Sequence, residues 1–466
     1  MTARGLAALA ALQGADGGWG WYPGLGESSD PLMTALAVEG LLTARGHGAS
    51  VEPMLTRGLD WLERRQRDTL KSQKRQAPVA SCLELDARLH QVLCLAGRDS
   101  DAMGERLWRE RAKLSPYGLA LFALAERTAG RRERQDELTS LLRQYVREDA
   151  ETGMAWVDCG AFPHWLWQGD RIETQAACIR LLLAQPQPDL RLASALVAHL
   201  LANRRNATYW NSTRDTAACL GAIADYLLAS GELAPDAQVE LLLDGQKLAE
   251  SRLDATRLWT EPLSFSLAGA KLTAGRHVLT LRRQGRGNLY YASRLAGFSQ
   301  ETQLLPAGLE AKVSRTVFRL EQTPGQATFL PDREAHPVPV IAPRIRRIPL
   351  RDGDAVSPGD LLEVRLTLDA KFDLEYLLLD DPRIAGAEPL DTLSGHTWQR
   401  LAAYRETRDD TTRFYLQRLP QGQHQLTYQL RVETPGRFCA LPSQLKAVYA
   451  PDIRGNSDAI RLRVDD

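Results

Sequence analysis

The residue types that do chemistry are present, but their spacing withholds the partners such chemistry needs. His164 lies between Asp158 and Asp170, a grouping that could move a proton. No nucleophile or second partner accompanies it, so a packed loop histidine is the simpler expectation. His47, His90 and His199 are scattered without an H-x-x-x-H repeat, which argues against zinc. The six cysteines, Cys82, Cys94, Cys159, Cys178, Cys219 and Cys439, form no C-x-x-C pair. They are too sparse for a disulfide scaffold. Cys82, Cys94, Cys178 and Cys219 sit in apolar helical stretches and are expected to act as small buried hydrophobes. The glycine runs lack a G-K-[ST] ending and no strand precedes them, so phosphate binding is not supported. A cyclase-type D-x-D-D is absent, and Asp380-Asp381 and Asp409-Asp410 fall in the β-rich half. The expectation is a chain with no catalytic residue, no metal site and no cofactor.

The aromatic clusters are more distinctive. GGWGWYPGLGESSDP (17–31) combines glycines, which permit close backbone approach, with Trp19, Trp21 and Tyr22, which can plug the gap between two helices. The same chemistry recurs at WVDCGAFPHWLWQGD (156–170), with Trp156, Trp165 and Trp167, and at TYWNSTRDTA (208–217). Each cluster stands just before an amphipathic helix and reads as a helix-pair connector; an aromatic ligand pocket is the alternative. Trp19, Gly20, Trp21 and Asp30 in the first cluster, with Trp210, Asn211 and Asp215 in the last, are the structural motif residues expected to carry these connectors.

The elements that must position them change character near residue 230. Segments 3–13, 31–46, 52–64, 116–129, 171–185 and 213–230 repeat apolar residues at helical spacing. Pro31 and Pro116 suit a first helical turn, and Ser212 or Thr213 an N-cap. Repeated helix hairpins bury a core only together. Their irregular period favours an α/α toroid over an open solenoid. Beyond Leu228 the pattern alternates. A hairpin is expected around Asp244-Gly245, and a second over 277–298 turning at Gly285–Asn288. Further strands are expected at Leu362–Leu368, Phe372–Leu379, Thr412–Leu416 and Leu426–Val432, as in β-sandwiches. The Pro-rich stretch 329–347 reads as an exposed loop or an edge connection. GRRERQ (130–135) and RIRRI (344–348) read as solvated faces.

Composition bounds the rest. The 466 residues suggest about three domains. Lys+Arg and Asp+Glu are 58 each, so the net charge is zero and a whole-chain nucleic-acid footprint is excluded. No apolar run is long enough for a membrane helix. The opening residues, with a short Ala-rich run and no clean cleavage site, read less like a secretory signal than like the middle of a helix, from which an earlier natural start is expected.

The motifs carry a resemblance. GGWGWYPG and SSDPLMTALAVEGLL, then YGLALFALAE, then YWNSTRDTAACLGAIADYL resemble the thioester-containing helical domain of bacterial alpha-2-macroglobulins. The stretches VSPGDLLEVRLTLDAKFDLEYLLLDDPRIAGAEPL and RETRDDTTRFYLQRLPQGQHQLTYQLRVETPGRFCALPSQLKAVYAPDIRGNSD look like that family's terminal macroglobulin-like domain. The resemblance runs from residue 1 to 466 and corresponds to the C-terminal third of a family member. It implies a multidomain chain, α then β. Residues 1–230 would be the α/α-toroid helical domain, 231–305 the second half of a CUB-type β domain with exposed edges, and 306–466 a macroglobulin-like β-sandwich.

The family's function implied here is protease trapping in the periplasm. A protease cuts a bait segment, the inhibitor changes shape, and a Cys–Gln thioester can capture lysines of the attacker. That thioester needs C-x-E-Q. Cys82-Leu83-Glu84-Leu85 comes closest, but Leu85 has no carboxamide to condense with the thiol. Either the thioester lies upstream or this member has lost it. The bait segment would lie upstream too, so this chain alone is not expected to trap. The expected protein is a non-enzymatic, endopeptidase-inhibitor-like one. Its partners would be proteases, and possibly periplasmic cell-wall proteins, with no nucleic acid and no transmembrane segment. The rival readings are a periplasmic module docking cell-wall enzymes and an enzyme on the same toroid.

Overall fold

A computed structural model describes residues 2–21, 29–74, 83–160, 171–205, 208–260, 262–269, 272–295, 304–323, 327–331, 337–341 and 344–465. The chain divides into two units, Met1–Leu201 with Tyr209–Arg294, and Ala202–Thr208 with Leu295–Asp466.

In the first unit, caps and stops cut the chain into helices α1 (Thr2–Leu12), α2 (Pro31–Gly46), α3 (Glu52–Lys74), α4 (Leu83–Leu95), α5 (Asp101–Glu110), α6 (Pro116–Thr128), α7 (Arg132–Arg143), α8 (Arg171–Leu183), α9 (Leu190–Ala202) and α10 (Thr213–Ser230). Asp30, Ser115 and Ser212 are the N-caps of α2, α6 and α10, each side chain accepting a backbone N–H three residues on. Pro31 and Pro116 sit in first turns, where no N–H is missed. Gly231 stops α10 in the left-handed region that a Cβ disfavours. The alternate helices pack in series: α2 on α4, α4 on α6, α6 on α8 and α8 on α10. Of the others, α3 packs on α2 and α4, α5 on α4, and α7 on α6. Helices α4, α6 and α8 are accordingly buried on nearly every face, whereas α5 and α7 bury one side. The sequence pattern missed α5, α7 and α9 and stopped α3 ten residues early. The first two and the end of α3 are polar-rich, and buried Arg106 of α5, Gln135 of α7, and Gln66 and Thr69 of α3 carry part of their inward faces. It also missed a short hairpin, β1 (Val146–Glu148) with β2 (Ala155–Val157).

The same unit ends in a three-stranded sheet of β3 (Asp236–Leu243), β4 (Gln246–Asp254) and β5 (Leu279–Arg286), with β3 central. Strands β3 and β4 turn at Asp244-Gly245, where φ is 50° and 82°, the both-positive pattern of a tight hairpin. The second hairpin expected over 277–298 does not form among the described residues. Strand β5 pairs with β3, matching Leu279 and Leu281 to Leu243 and Leu241, and residues 287–295 form no strand. Asn288 and Tyr290 instead bond to Glu232, which follows α10.

The second unit is strand-built: β6 (Ala307–Gly308), β7 (Ala311–Thr323), β8 (Ala327–Pro331), β9 (Pro337–Ile341), β10 (Arg344–Pro349), β11 (Ala355–Val356), β12 (Leu361–Ala370), β13 (Leu374–Pro382), β14 (Ala387–Pro389), β15 (Gly395–Trp398), β16 (Ala402–Thr407), β17 (Thr411–Leu419), β18 (Gly422–Val432), β19 (Gly436–Ala440), β20 (Gln444–Ala447), β21 (Arg454–Asn456) and β22 (Ile460–Val464). One sheet runs β10-β7-β12-β18-β14 and another β15-β16-β17-β13-β20-β21-β6. A smaller one joins β11, β22 and β19. The Pro-rich stretch supplies the hairpin β8–β9 and the edge strand β10. Alternation puts Leu362, Val364, Leu366 and Leu368 of β12 inward beside Leu426, Tyr428 and Leu430 of β18.

One ion pair crosses that core. Arg315 of β7 donates to Asp381 of β13 at 2.9 Å, Tyr428 of β18 donates its hydroxyl to the same carboxylate at 2.7 Å, and Ser443 does so at 2.6 Å. Asp381 is fully buried. Removing one partner strands the other in low dielectric, so Asp381→Ala is expected to destabilise the second unit by about 3–5 kcal/mol. Denaturant unfolding of wild type and variant checks this; a loss below about 1 kcal/mol would contradict it.

Candidate functional site

Two tryptophans of the sequence motifs occupy equivalent positions. Trp19 and Trp210 are 4% and 2% exposed. The Trp19 indole N–H donates to the Leu9 carbonyl at 2.9 Å, and the Trp210 indole N–H to the Leu200 carbonyl, also at 2.9 Å. Each acceptor lies ten residues before its tryptophan. Each belongs to the last turn of a helix, α1 or α9, whose carbonyls have no intrahelical donor. On the other side, the Trp19 backbone N–H donates to Thr34 Oγ1 at 2.9 Å, and the Trp210 backbone N–H to Thr216 Oγ1 at 3.1 Å. Thr34 and Thr216 each stand four residues after an N-cap, Asp30 or Ser212. One tryptophan therefore closes the end of one helix and is tied to the first turn of the next.

The third Trp-rich loop carries the same spacing, with buried Thr174 four residues after Asp170. His164, Trp165, Trp167 and Asp170 lie outside the described residues, as do Tyr22 and Cys82. Trp156 stacks on His199, whose Nδ1 bonds Gln175.

The remaining motif residues divide. Asp30 accepts from Met33 N–H at 2.9 Å. Gly20, Trp21 and Asn211 are exposed, so Trp21 is not the plug that its spacing suggested. Asp215 is buried in the first turn of α10, its N–H held by Ser212 Oγ at 3.1 Å. Around Trp19, a Cβ on Gly58 of α3 would meet Trp19 Cζ3 at 2.8 Å and Val38 Cγ2 at 2.7 Å, so glycine is what lets α3 close on the ring.

Between these connectors, the first turns of the five alternate helices converge. Leu32 of α2, Glu84 of α4, Tyr117 of α6, Glu173 of α8 and Arg214 of α10 face a common space of about 10 Å³, room for one water at most. Helix N-termini favour negative charge, and here Glu84, Glu173 and Asp215 supply it from within. Glu84 accepts from Ser115 N–H at 3.1 Å, and Arg214 pairs with Glu173 at 3.0 Å. Arg88 of α4 binds Glu39 of α2. Burial opposes its charge, but the Glu39 carboxylate prevails and holds it protonated. Burial likewise pushes the Tyr117 hydroxyl well above its usual range. Sequence reasoning missed this cluster. Its signal was charged residues inside apolar helical runs, as in LELDARLH and RIETQAACIRLLL.

The other buried titratable groups are similarly spent. His90 and Cys94, one turn apart on α4, meet at 3.6 Å. Burial, helped by Arg131, lowers the imidazole to about 4, and burial raises the thiol to about 12, so the two meet as neutral groups. Burial also pushes Cys178 up to about 12. Glu126 is buried against Arg131 and Arg134, so these two arginines of GRRERQ are ion-paired anchors while Arg132 and Glu133 are exposed. RIRRI is exposed over 344–347, and from it Arg347 binds the buried Glu363. No cluster of His, Cys, Asp and Glu suited to a metal occurs among the described residues. No helix there is long and apolar enough to cross a membrane.

Comparison with known proteins follows the same line. Residues 311–452 match the model of the bacterial alpha-2-macroglobulin MG10 domain. An alpha-2-macroglobulin homolog from Nostoc sp. is 27% identical over 489 residues, covering 98% of this chain and 23% of that protein. Trypsin-activated alpha-2-macroglobulin from Escherichia coli overlays with a TM-score of 0.47 at 17% identity, covering 98% of this chain and 29% of that one. The elastase-activated form gives 0.44 at 19%, with 98% and 38% covered. The chain thus spans about a quarter of the curated relative's length. The domain match and the relative point to the bacterial alpha-2-macroglobulin family.

Two measurements check the site. Thr34→Val and Thr216→Val each strand a tryptophan N–H and are expected to cost about 1–3 kcal/mol, while Trp21→Phe costs under about 1 kcal/mol. Equal, small effects at all three positions in denaturant unfolding would contradict the connector geometry. Among the described cysteines, Cys439 is exposed and Cys94, Cys159, Cys178 and Cys219 are buried. A thiol reagent with peptide mapping is expected to label Cys439 first and the other four only on unfolding.

Proposed function

We propose that this chain is part of a bacterial alpha-2-macroglobulin-like protein that traps proteases without enzymatic activity of its own. The observation that carries the reading is the MG10 match over residues 311–452, joined to a relative that covers 98% of the chain. In this reading the helices of 1–230 close into an α/α toroid, residues 231–305 are the second half of a CUB-type β domain, and residues 306–466 are the macroglobulin-like domain. The motif residues Trp19, Gly20, Trp21, Asp30, Trp210, Asn211 and Asp215 then act as scaffold and not as ligand-binding groups. Two features support the toroid: alternate helices pack in series, and their first turns share one small space.

The chemistry of the described residues agrees with a mechanical part. A thiol raised to about 12 is no nucleophile at neutral pH, and a histidine lowered to about 4 has little basicity to offer. Target proteases would meet the whole protein in the periplasm, where a cut in its bait segment would trigger enclosure.

Trypsin added to the whole protein tests this. Enclosed trypsin is expected to keep its activity on a small chromogenic peptide while losing at least tenfold on a protein substrate. Unchanged activity on both, with the protein simply degraded, would contradict the proposal. The 466-residue chain alone is expected to leave trypsin unaffected and, lacking C-x-E-Q, to gain no mass with methylamine.

A further inference from the structure

The turn between β3 and β4 holds more than its own two strands. The Asp244 backbone N–H donates to the Val278 carbonyl at 2.9 Å, and its Oδ1 accepts from the Val278 N–H at 2.8 Å. Asp244 thus takes both backbone groups of the residue that leads into β5. Its second oxygen, Oδ2, lies 2.7 Å from Nδ1 of His277. The other ring nitrogen, Nε2, lies 2.7 Å from the Thr273 carbonyl.

Both neighbours of the ring are acceptors. A neutral imidazole has one N–H and one lone pair, so it can satisfy only one of them. The imidazolium donates to both. The His277 side chain is about one-quarter exposed. Asp244 is the charged side chain that meets it among the described residues. Lys247, Glu240 and Glu250 on the adjoining strands pair with one another, and Arg276 precedes it in the chain.

We propose that His277 is a protonation-operated latch that, as imidazolium, fastens segment 272–278 to the β3–β4 turn and releases it on losing its proton. The proton leaves to solvent from one ring nitrogen. The lone pair left behind faces an oxygen at hydrogen-bond distance, and that bond is lost. The Asp244–Val278 backbone bonds carry no titrating donor and persist, so β5 stays paired while residues 273–277 loosen. The device is independent of any protease-trapping role.

The ion pair raises the His277 pKa above its ordinary 6.5, first through Asp244 and then through Thr273. The sign follows from that direction. The latch is fully engaged below about pH 6.5 and is lost as pH climbs through the raised value. Imidazole NMR titration of the 466-residue chain reads the pKa directly. Hydrogen exchange of residues 273–277, corrected for intrinsic rates, reads the release. The expected result is a His277 pKa above 6.5 with protection falling about two- to fivefold above it, the order of an exposed ion pair. Asp244→Asn is expected to bring the pKa back toward 6.5. A wild-type pKa at or below 6.5, or protection unchanged across the titration, would overturn the proposal, and the wild-type measurements decide it even if the variant fails to fold.

Discussion

A helix that ends inside a protein leaves carbonyls with no donor, and a helix that begins there leaves amides with no acceptor. The Trp19 and Trp210 connectors answer the first demand with the indole N–H and are tied to a following helix whose own cap, Asp30 or Ser212, answers the second. The indole N–H takes a last-turn carbonyl of the preceding helix, and the backbone N–H is held by a threonine in the first turn of the next. The indole ring meanwhile fills the gap between the helices, as the Trp19 contact with Gly58 illustrates. The direction in which α1 hands over to α2, and α9 to α10, is fixed by this bond pair. The series α2, α4, α6, α8 and α10, which these two connectors begin and end, brings five first turns to one place.

That convergence imposes a second cost. Helices buried on nearly all sides cannot point every polar residue at water. The charges they carry are matched in place: Arg88 with Glu39, Arg106 with Asp86, Arg214 with Glu173, and Glu126 with two arginines. The strand-built unit uses the same solution where Arg315, Tyr428 and Ser443 converge on Asp381, and where Arg347 and Arg365 meet Glu363. Unmatched, each of these would cost several kcal/mol. Matched, each has its charge compensated in place.

Much of the fold was legible in the sequence because it rests on local signals. Asp30 and Pro31, Ser115 and Pro116, and Ser212 announce helix starts by capping chemistry that needs no tertiary context. Asp244-Gly245 announces a tight turn by its backbone freedom. Strands β12, β13, β17 and β18 alternate because one face is buried. What local signals could not supply was pairing. The residues after β5 look strand-like, yet Asn288 and Tyr290 find Glu232, over fifty positions away in the chain. Helices α5 and α7 were hidden because polar side chains, Arg106 in α5 and Gln135 with Thr139 in α7, carry part of their inward faces. The polar cluster was hidden because a charged residue in an apolar run reads as an exposed exception until its partner on another helix is known. Trp19 and Trp21 are identical in type and two positions apart, and it takes the Leu9 carbonyl, Thr34 and the close approach of Gly58 to make Trp19 a core residue while Trp21 is exposed.

The central claim is that the two tryptophan connectors lock the helices into one cooperative body. Native-state hydrogen exchange of the two indole N–H groups tests it most directly. Both are expected to exchange only through the opening that also releases the backbone amides of α4 and α6, with matching free energies. Exchange of either indole orders of magnitude faster than those amides would show that the connectors open alone, and would contradict the account.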